Sequence, residues 1–351
     1  MSIRMVRSVG LDVHKRVVEA CIVDHTGNVV HRERFALNRH TLTVFATKVL
    51  RPSDRVALEA TTNCWAVADV LRPHVARVLV SNPMATKAIA QAKVKTDKVD
   101  ARVLCELLRI DALPHPVHMP GRETRALRGL LVARRQLVAA RTKLCNVVRG
   151  MLRQEGIRLP DRALASFAGW ERVFVNSFSC EHVMTVVRAY YQSFQALTQS
   201  IRELERKLGE YERTNPEAKR LQTIPKVGRI ASLTFLAAVD DVNRFPSSRK
   251  LVAYSGLAPT VRQSSERTEY GPISREGRRE LRAVWVQIAH LVAVDRHRET
   301  QPLRTWYNRV ARRRGQKTAV VALARRLLVI AYHLLREETD FDATRLKRRA
   351  A

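Results

Sequence analysis

The stretch VRSVGLDVHKRVVEACIVD (residues 6–24) contains two runs rich in Val, Ile and Leu, VRSVGLDV and RVVEACIVD, split by a His-Lys pair. Short β-branched runs bounded by polar breaks read as strands. The turn signal HTGN (25–28) leads into a third run, NVVHRERFAL (28–37), which completes a three-stranded meander. Outward from it, RHTLTVFATKVL (39–50) has a helical pattern, RVALEA (55–60) follows RPSD as a short strand, and NCWAVADVLRP (63–73) is helical. ARVLVSN (76–82) reads as a fifth strand, and PMATKAIAQA (83–92) begins a helix with Pro in its first turn. The order βββ-α-β-α-β-α predicts a mixed sheet with helices around it.

Acidic residues recur at informative places in this pattern. Asp12 lies in the first strand (GLDVHK), Glu59 ends the fourth (VALEATT), and Asp97 and Asp100 open a helix after the fifth (KTDKVDARVLCELL). Like charges at i and i+3 on a helix repel, so solvent, the neighbouring Lys93, Lys95 and Lys98, or a bound metal must offset them. An acid in the first strand lies beside one at the end of the fourth only when those strands are neighbours. That is the strand arrangement of the RNase H fold. Four hard oxygen ligands suit Mg²⁺ or Mn²⁺, and two such ions can stabilise the attacking and leaving oxygens of phosphoryl transfer. Plainer readings stand beside this one. Asp12 could be a strand-end surface acid, Glu59 could cap the following helix, and Asp97 and Asp100 could pair with Lys93 and Arg102 in solvent.

Composition points to the partner. Lys and Arg total 63 against 33 acids, giving a formal net charge of +30, and only 13 of the 63 are Lys. Arg binds phosphate bidentately and stacks on bases, so an excess spread along the chain indicates nucleic acid. A GC-rich genome would explain the Arg/Lys ratio but not the charge. Five widely spaced cysteines form neither a CxxC pair nor a zinc pattern, and read as buried thiols in a reducing compartment. No apolar run approaches 18 residues and the start, MSIRMVRSVGLDVHK, lacks a signal-peptide core, so a soluble, cytoplasmic protein is expected. The absence of a P-loop or dinucleotide fingerprint argues against ATP-driven or redox chemistry.

The second half is helical. Residues 122–155 carry apolar positions at Leu130, Leu137, Leu144 and Met151, and 156–180 reads as a short helical linker. Val183, Val187, Tyr190, Phe194, Leu197, Ile201, Leu204, Leu208 and Tyr211 alternate spacings of four and three, the seam of a coiled coil. Its partner is either a second chain or the 122–155 helix of the same chain. Past TNPEAKR, a helical domain begins, in which IPKVG (224–228, with Lys226) resembles a helix-hairpin-helix turn able to grip phosphate. FPSSRKLVAYSGLAP leads to a polar loop, TVRQSSERTEYGPISREG (260–277), then to two helices and the basic tail RLKRR.

GLDVHK, ALEATTNCW and KTDKVDARVLCELL resemble the three acidic blocks of the DEDD-type transposases of bacterial insertion sequences, the bridge-RNA-guided recombinases. TIPKVGRIASLTFLAAVDDVNRFPSSRKLVAYSGLAP, followed by QSSERTEYGPISREGRRELR, resembles that family's C-terminal transposase domain. The blocks are collinear with the family and cover most of the chain.

The resemblance implies a RuvC-like, RNase H-like domain (1–155) whose Asp12, Glu59, Asp97 and Asp100 bind Mg²⁺. It also implies a coiled-coil linker (156–215), a mainly helical C-terminal domain (216–340) with a catalytic serine, and a basic tail (341–351). In the family that serine precedes a Gly and attacks a DNA phosphate to give a phosphoserine intermediate. Here QSSER has Ser265 where the Gly is usual. Counting back from Gly271 favours Ser264 as nucleophile, with Ser265 as the fallback. No His lies in the loop to act as base, and a metal held by the four acids is the natural activator if the two domains or two protomers meet over the scissile phosphate. Arg262, Arg267, Arg275 and Arg278 crowd the segment and could clamp the phosphate, with Arg279 and Arg282 more simply read as solvent-facing. The implied partners are donor and target DNA, a guide RNA, and further copies of the chain in a dimer or tetramer. The competing readings are a Holliday-junction nuclease using metal-activated water, and a non-enzymatic nucleic-acid-binding protein.

Overall fold

A computed structural model describes residues 6–89, 97–175, 181–264 and 267–344, with residues 88, 97–99, 262–264, 267–268 and 270 described in backbone only. The chain divides into two compact units, Met1–Met119 and Pro120–Ala351.

The first unit runs β1 (Ser8–Val13), β2 (Val17–Val23), β3 (Val29–Ala36), α1 (Arg39–Lys48), β4 (Arg55–Glu59), α2 (Cys64–Leu71), β5 (Arg77–Ser81), α3 (Pro83–Ile89) and α4 (Asp97–Arg109). The sheet order is β3-β2-β1-β4-β5, with β1–β3 an antiparallel meander and β4 and β5 added in parallel to β1. The first and fourth strands are therefore neighbours, as the acid positions require. Side chains alternate across a strand. Val9, Leu11 and Val13 pack on one face with Phe45 of α1 and Val67 and Leu71 of α2. The opposite face carries Ser8, Gly10 and Asp12 and is covered by α4. Because both faces of β1 are covered, its sequence is nearly continuously apolar.

Gly10 sets how closely α4 approaches. A Cβ there would collide with the Ala101 carbonyl oxygen and sit 2.8 Å from the Cys105 backbone nitrogen, so only glycine lets helix and strand meet. Gly10→Ala is expected to lower the stability of this unit by about 1–3 kcal/mol through overpacking, read as a melting point lower by several degrees. Gly129→Ala is the control, since nothing lies within 4 Å of a Cβ there. Equal melting points for the two variants would refute the steric account.

The second unit opens with the long helix α5 (Arg122–Gln154), followed by α6 (Phe167–Phe174) and α7 (Glu181–Thr214). Arg134 meets Glu205 at 2.6 Å and Arg141 meets Thr198 at 3.4 Å, so residue numbers rise on one helix as they fall on the other. The α7 seam thus packs on α5 as an antiparallel hairpin within the chain. Val187, Phe194, Ile201 and Leu208 are fully buried, while the alternate row, Val183, Tyr190, Leu197, Leu204 and Tyr211, is half-buried. On α5 the deepest residues are Leu127, Cys145, Val148 and Leu152, and the expected Leu130, Leu137, Leu144 and Met151 are half-buried beside them. Helix α5 packs on α7 and α9.

Next come α8 (Pro216–Gln222), α9 (Arg229–Val239), α10 (Ser248–Tyr254), β6 (Pro259–Ser264), β7 (Arg267–Ile273), α11 (Arg279–Val294), α12 (Gln301–Arg314) and α13 (Gln316–Arg336). Almost all of α9 is buried, and its Phe235 packs edge-on against Trp285 of α11 with ring centroids 5.6 Å apart. Helix α13 is long and apolar enough to cross a bilayer by composition, and 56% of its apolar window is buried inside this core. The 260–277 segment, read from sequence as a polar loop, instead contains the antiparallel hairpin β6–β7, with Val261 opposite Tyr270 and Ser264 opposite Arg267. Its strands carry few apolar residues, so no hydrophobic alternation marked them.

Candidate catalytic centre

In the first unit the expected acids come to one edge of the sheet. Leu11 pairs with Leu58 between the parallel strands β1 and β4, so Asp12 and Glu59 are adjacent at the carboxyl ends of neighbouring strands. Both lie on the face covered by α4, since Gly10 meets Ala101 and Ala57 packs with Leu104 and Leu108. The direction of α4 follows from its contacts. Ala101 lies over Gly10 in mid-strand, whereas the Leu108 carbonyl accepts from Arg55 at the start of β4. The helix therefore runs antiparallel to β1 and β4, and its first turn, with Asp97 and Asp100, is directed toward the strand ends that carry Asp12 and Glu59. Asp100 is exposed to solvent there.

Asp12 is held by His14, whose Nε2 lies 3.0 Å from its Oδ2. Across the ladder from Asp12 stands Glu19 of β2, which the sequence reading did not single out. Its carboxylate is buried, its Oε2 has no hydrogen-bond partner among the described residues, and the Arg34 guanidinium is 4.0 Å away. A buried carboxylate with an unsatisfied oxygen is costly, and an acid inside the apolar run VVEACIV was the available signal. Next on this face, Cys105 of α4 directs its Sγ at the Cys21 carbonyl, 2.9 Å away. A side-chain interaction with the Cys105 thiol also pulls the Cys21 thiol below its usual range, against burial and with help from Arg32 and Arg102.

The donors at this edge are carboxylate oxygens, the chemistry that Mg²⁺ or Mn²⁺ prefers. Among the described residues no three His, Cys, Asp or Glu side chains are gathered tightly enough to form a ligand cluster. The Asp97 side chain is not among those described. The carboxylate chemistry suits a divalent ion, while the described side chains do not form a closed ligand cluster at this edge.

In the second unit, Ser264 ends β6 next to the hairpin turn. Ser265, Lys93 and Lys95 lie outside the described residues, and Lys98, Arg262 and Arg267 are described in backbone only. The segment after the hairpin is pinned to the end of α10. Ser274 N–H donates to the Ala258 carbonyl at 2.8 Å, Arg275 N–H to Gly256 at 3.2 Å, and Arg278 N–H to Tyr254 at 3.0 Å. Gly277 makes this approach possible: at φ 122° it lies against the Tyr254 carbonyl, where a Cβ would collide. Arg275 adopts a left-handed φ of 58° and is exposed, while Arg278 donates from Nε to the Tyr254 hydroxyl at 2.9 Å. Arg282 is occupied by the Ser255 and Arg275 carbonyls. Lys226, left-handed at φ 69° in the turn between α8 and α9, has its ammonium 3.0 Å from Asp295. Burial works to raise the Asp295 pKa, but Lys226 and Thr300 together hold its carboxyl below the usual range.

Two family models match the chain, and the first extends beyond the sheet-containing unit through α5. Residues 9–156 match a model of DEDD-type transposases described as "Transposase", and residues 218–307 match one described as "Transposase IS116/IS110/IS902 family". The matches, in this order, define an insertion-sequence transposase. The chain belongs to the IS110 family of these proteins. It is 26% identical over 343 residues to the transposase for insertion sequence element IS1111A of Coxiella burnetii, covering 96% of this chain and 92% of that one. A probable family 20 transposase of Pseudomonas aeruginosa is 28% identical, with coverage of 95% and 98%. The pilin gene-inverting protein of Moraxella bovis is 27% identical, with coverage of 95% and 97%. Proteins of this family are DNA-processing enzymes, of the transposase and recombinase class.

Proposed function

We propose that this chain is the recombinase of an insertion sequence, exchanging strands between donor and target DNA under the direction of a guide RNA in the bacterial cytoplasm. The observation that carries the reading is the adjacency of Asp12 and Glu59 at the ends of neighbouring strands, with the first turn of α4 directed to the same edge. The order β3-β2-β1-β4-β5 supports reading the first unit as an RNase H-like, RuvC-like domain. Asp12, Glu59, Asp97 and Asp100 would hold Mg²⁺ or Mn²⁺. When bound, the ion supplies Lewis-acid activation of an oxygen nucleophile and stabilises charge on the leaving oxygen.

The remaining work falls to the chain's own residues. Ser264 attacks the phosphorus of a DNA phosphodiester; its Oγ–P bond forms as the P–O bond to the leaving deoxyribose oxygen breaks, and a phosphoserine results. The exposed Arg275, with Arg262 and Arg267 of the hairpin, neutralises the phosphate. Lys93, Lys95 and Lys98, which flank Asp97 and Asp100 in the sequence, serve as contacts to a nucleic-acid backbone, and the turn holding Lys226 contributes helix-terminal N–H groups to another. Sequence selection by base pairing asks the protein only to grip backbones, which a dispersed excess of Arg does well. The chain acts as a dimer or tetramer, so that sites on two duplexes are served together.

Purification of the untagged chain, followed by sequencing of co-purified nucleic acid, tests the RNA component. The expected result is one short RNA encoded beside the gene. RNase treatment should then abolish site-specific strand exchange. Chelation by EDTA should abolish cleavage reversibly, with activity returning on addition of Mg²⁺. Full exchange after RNase treatment would remove the guide from the reading, and full cleavage in EDTA would remove the metal.

A further inference from the structure

A second candidate binding site lies in the helical unit, between α12, α13 and the segment that follows α13. A cavity of about 660 Å³ is lined by Arg298, Trp306, Arg309 and Arg326, with Glu299 and Thr344 at its border. Its volume lies within the range of small-ligand pockets. The Arg326 guanidinium stacks over the Trp306 indole, with Cζ 4.8 Å from the ring centroid, which makes a flat and partly buried platform. Burial, with Arg309 as a second cation nearby, lowers the Arg326 pKa. Among the described residues, no ion pair joins Arg298, Arg309 or Arg326 to a carboxylate. Two guanidiniums crowded together at a half-buried aromatic ring, against a single acid at the border, form a site short of negative charge.

We infer that this cavity receives one unstacked nucleotide of a single strand, its base on the Trp306–Arg326 platform and its phosphodiester against Arg309 and Arg298. The two halves of the site fit the two halves of the ligand. Base–aromatic stacking holds any base, because each has a π face, and arginine supplies both stacking and phosphate pairing. A duplex cannot use the platform, since its bases are stacked on one another. The cavity lacks the glycine-rich cradle that a free triphosphate needs, so a single phosphodiester is the better match. The inference rests on the proposed nucleic-acid function but not on the serine or the metal.

The test uses the full chain carrying Asp12→Asn, so that binding is read without cleavage. Oligomers of about 12 nucleotides containing 5-iodouridine or 5-iododeoxyuridine are photocrosslinked, and the adduct is mapped by mass spectrometry. Crosslinking at Trp306 is expected. By fluorescence anisotropy, Trp306→Ala should weaken single-strand binding roughly tenfold and leave duplex binding within about twofold. Trp306→Phe should restore most of the loss, which separates stacking from a folding defect. Arg309→Ala should reduce the salt dependence of single-strand binding by about one unit of slope. Running ribo- and deoxyribo-oligomers side by side identifies which strand the pocket holds, and a preference for either supports it. Equal losses for single strand and duplex, a Phe variant as weak as Ala, or crosslinks only elsewhere would each overturn the assignment.

Discussion

Asp12→Asn is expected to reduce DNA strand cleavage by about three orders of magnitude while nucleic-acid binding changes by less than about threefold. Asn has nearly the same size and can still accept from His14, now held 3.0 Å from Asp12 Oδ2, so β1 and its packing should stay as they are. What is lost is one negative charge at the end of the strand next to Glu59. In a site that holds a divalent ion, that charge acts on the ion directly; on a strand end without one, its removal leaves cleavage unchanged. Asp100→Asn should fall comparably, although its side chain is exposed, because its helix turn is directed to the same edge. The measurement is single-turnover cleavage of a labelled substrate across a Mg²⁺ titration, with binding by anisotropy and melting temperature as controls. Cleavage within tenfold of the unaltered chain for both variants would leave the acids as surface charges and favour a nucleic-acid-binding protein without this chemistry.

The placement of the candidate acids in the sheet could be read from residue order. The period-two strands 8–13 and 55–59 fixed which residues share a face, and an acid in each called for adjacency, which the parallel pairing of Leu11 with Leu58 supplies. Glu19 escaped because a charge in one strand of a meander reads as solvent-facing until it is known that α4 lies over that face. Lys226 read as a phosphate contact, yet the ammonium is engaged by Asp295, a partner 69 residues on that no local pattern encodes. The heptad of α7 revealed a seam but not the surface it meets. Periodicity fixes a face, whereas the partner depends on the tertiary path, here the antiparallel return onto α5. The β6–β7 hairpin was hidden for another reason. Polar strands carry no hydrophobic alternation, and the sequence between them has no Asn-Gly or Asp-Gly, the common signal of a tight hairpin.

Ser264→Ala is expected to eliminate the covalent protein–DNA adduct and to lower strand exchange by about four orders of magnitude or more, the scale at which loss of a nucleophile disables a covalent enzyme. A Holliday-junction nuclease built on the same acids predicts the opposite, because water would attack and Ser264 would be an ordinary residue near a hairpin tip. The hairpin register bears on the choice of serine: Ser264 is the last residue of β6, paired with Arg267, whereas Ser265 lies outside the described residues. A nucleophile fixed at a strand end loses little orientational freedom on attack, and this favours Ser264. The readout is an SDS-stable DNA–protein species, with Ser265→Ala run beside it. Adduct retained in Ser264→Ala but lost in Ser265→Ala would move the nucleophile one residue. Full cleavage by the double variant would exclude a serine mechanism altogether. Combining Ser264→Ala with Asp12→Asn adds a further constraint: groups that act on one bond-breaking step are strongly non-additive, so the double variant should be little worse than Ser264→Ala alone. Losses that multiply would mean that the acids and the serine serve separate reactions.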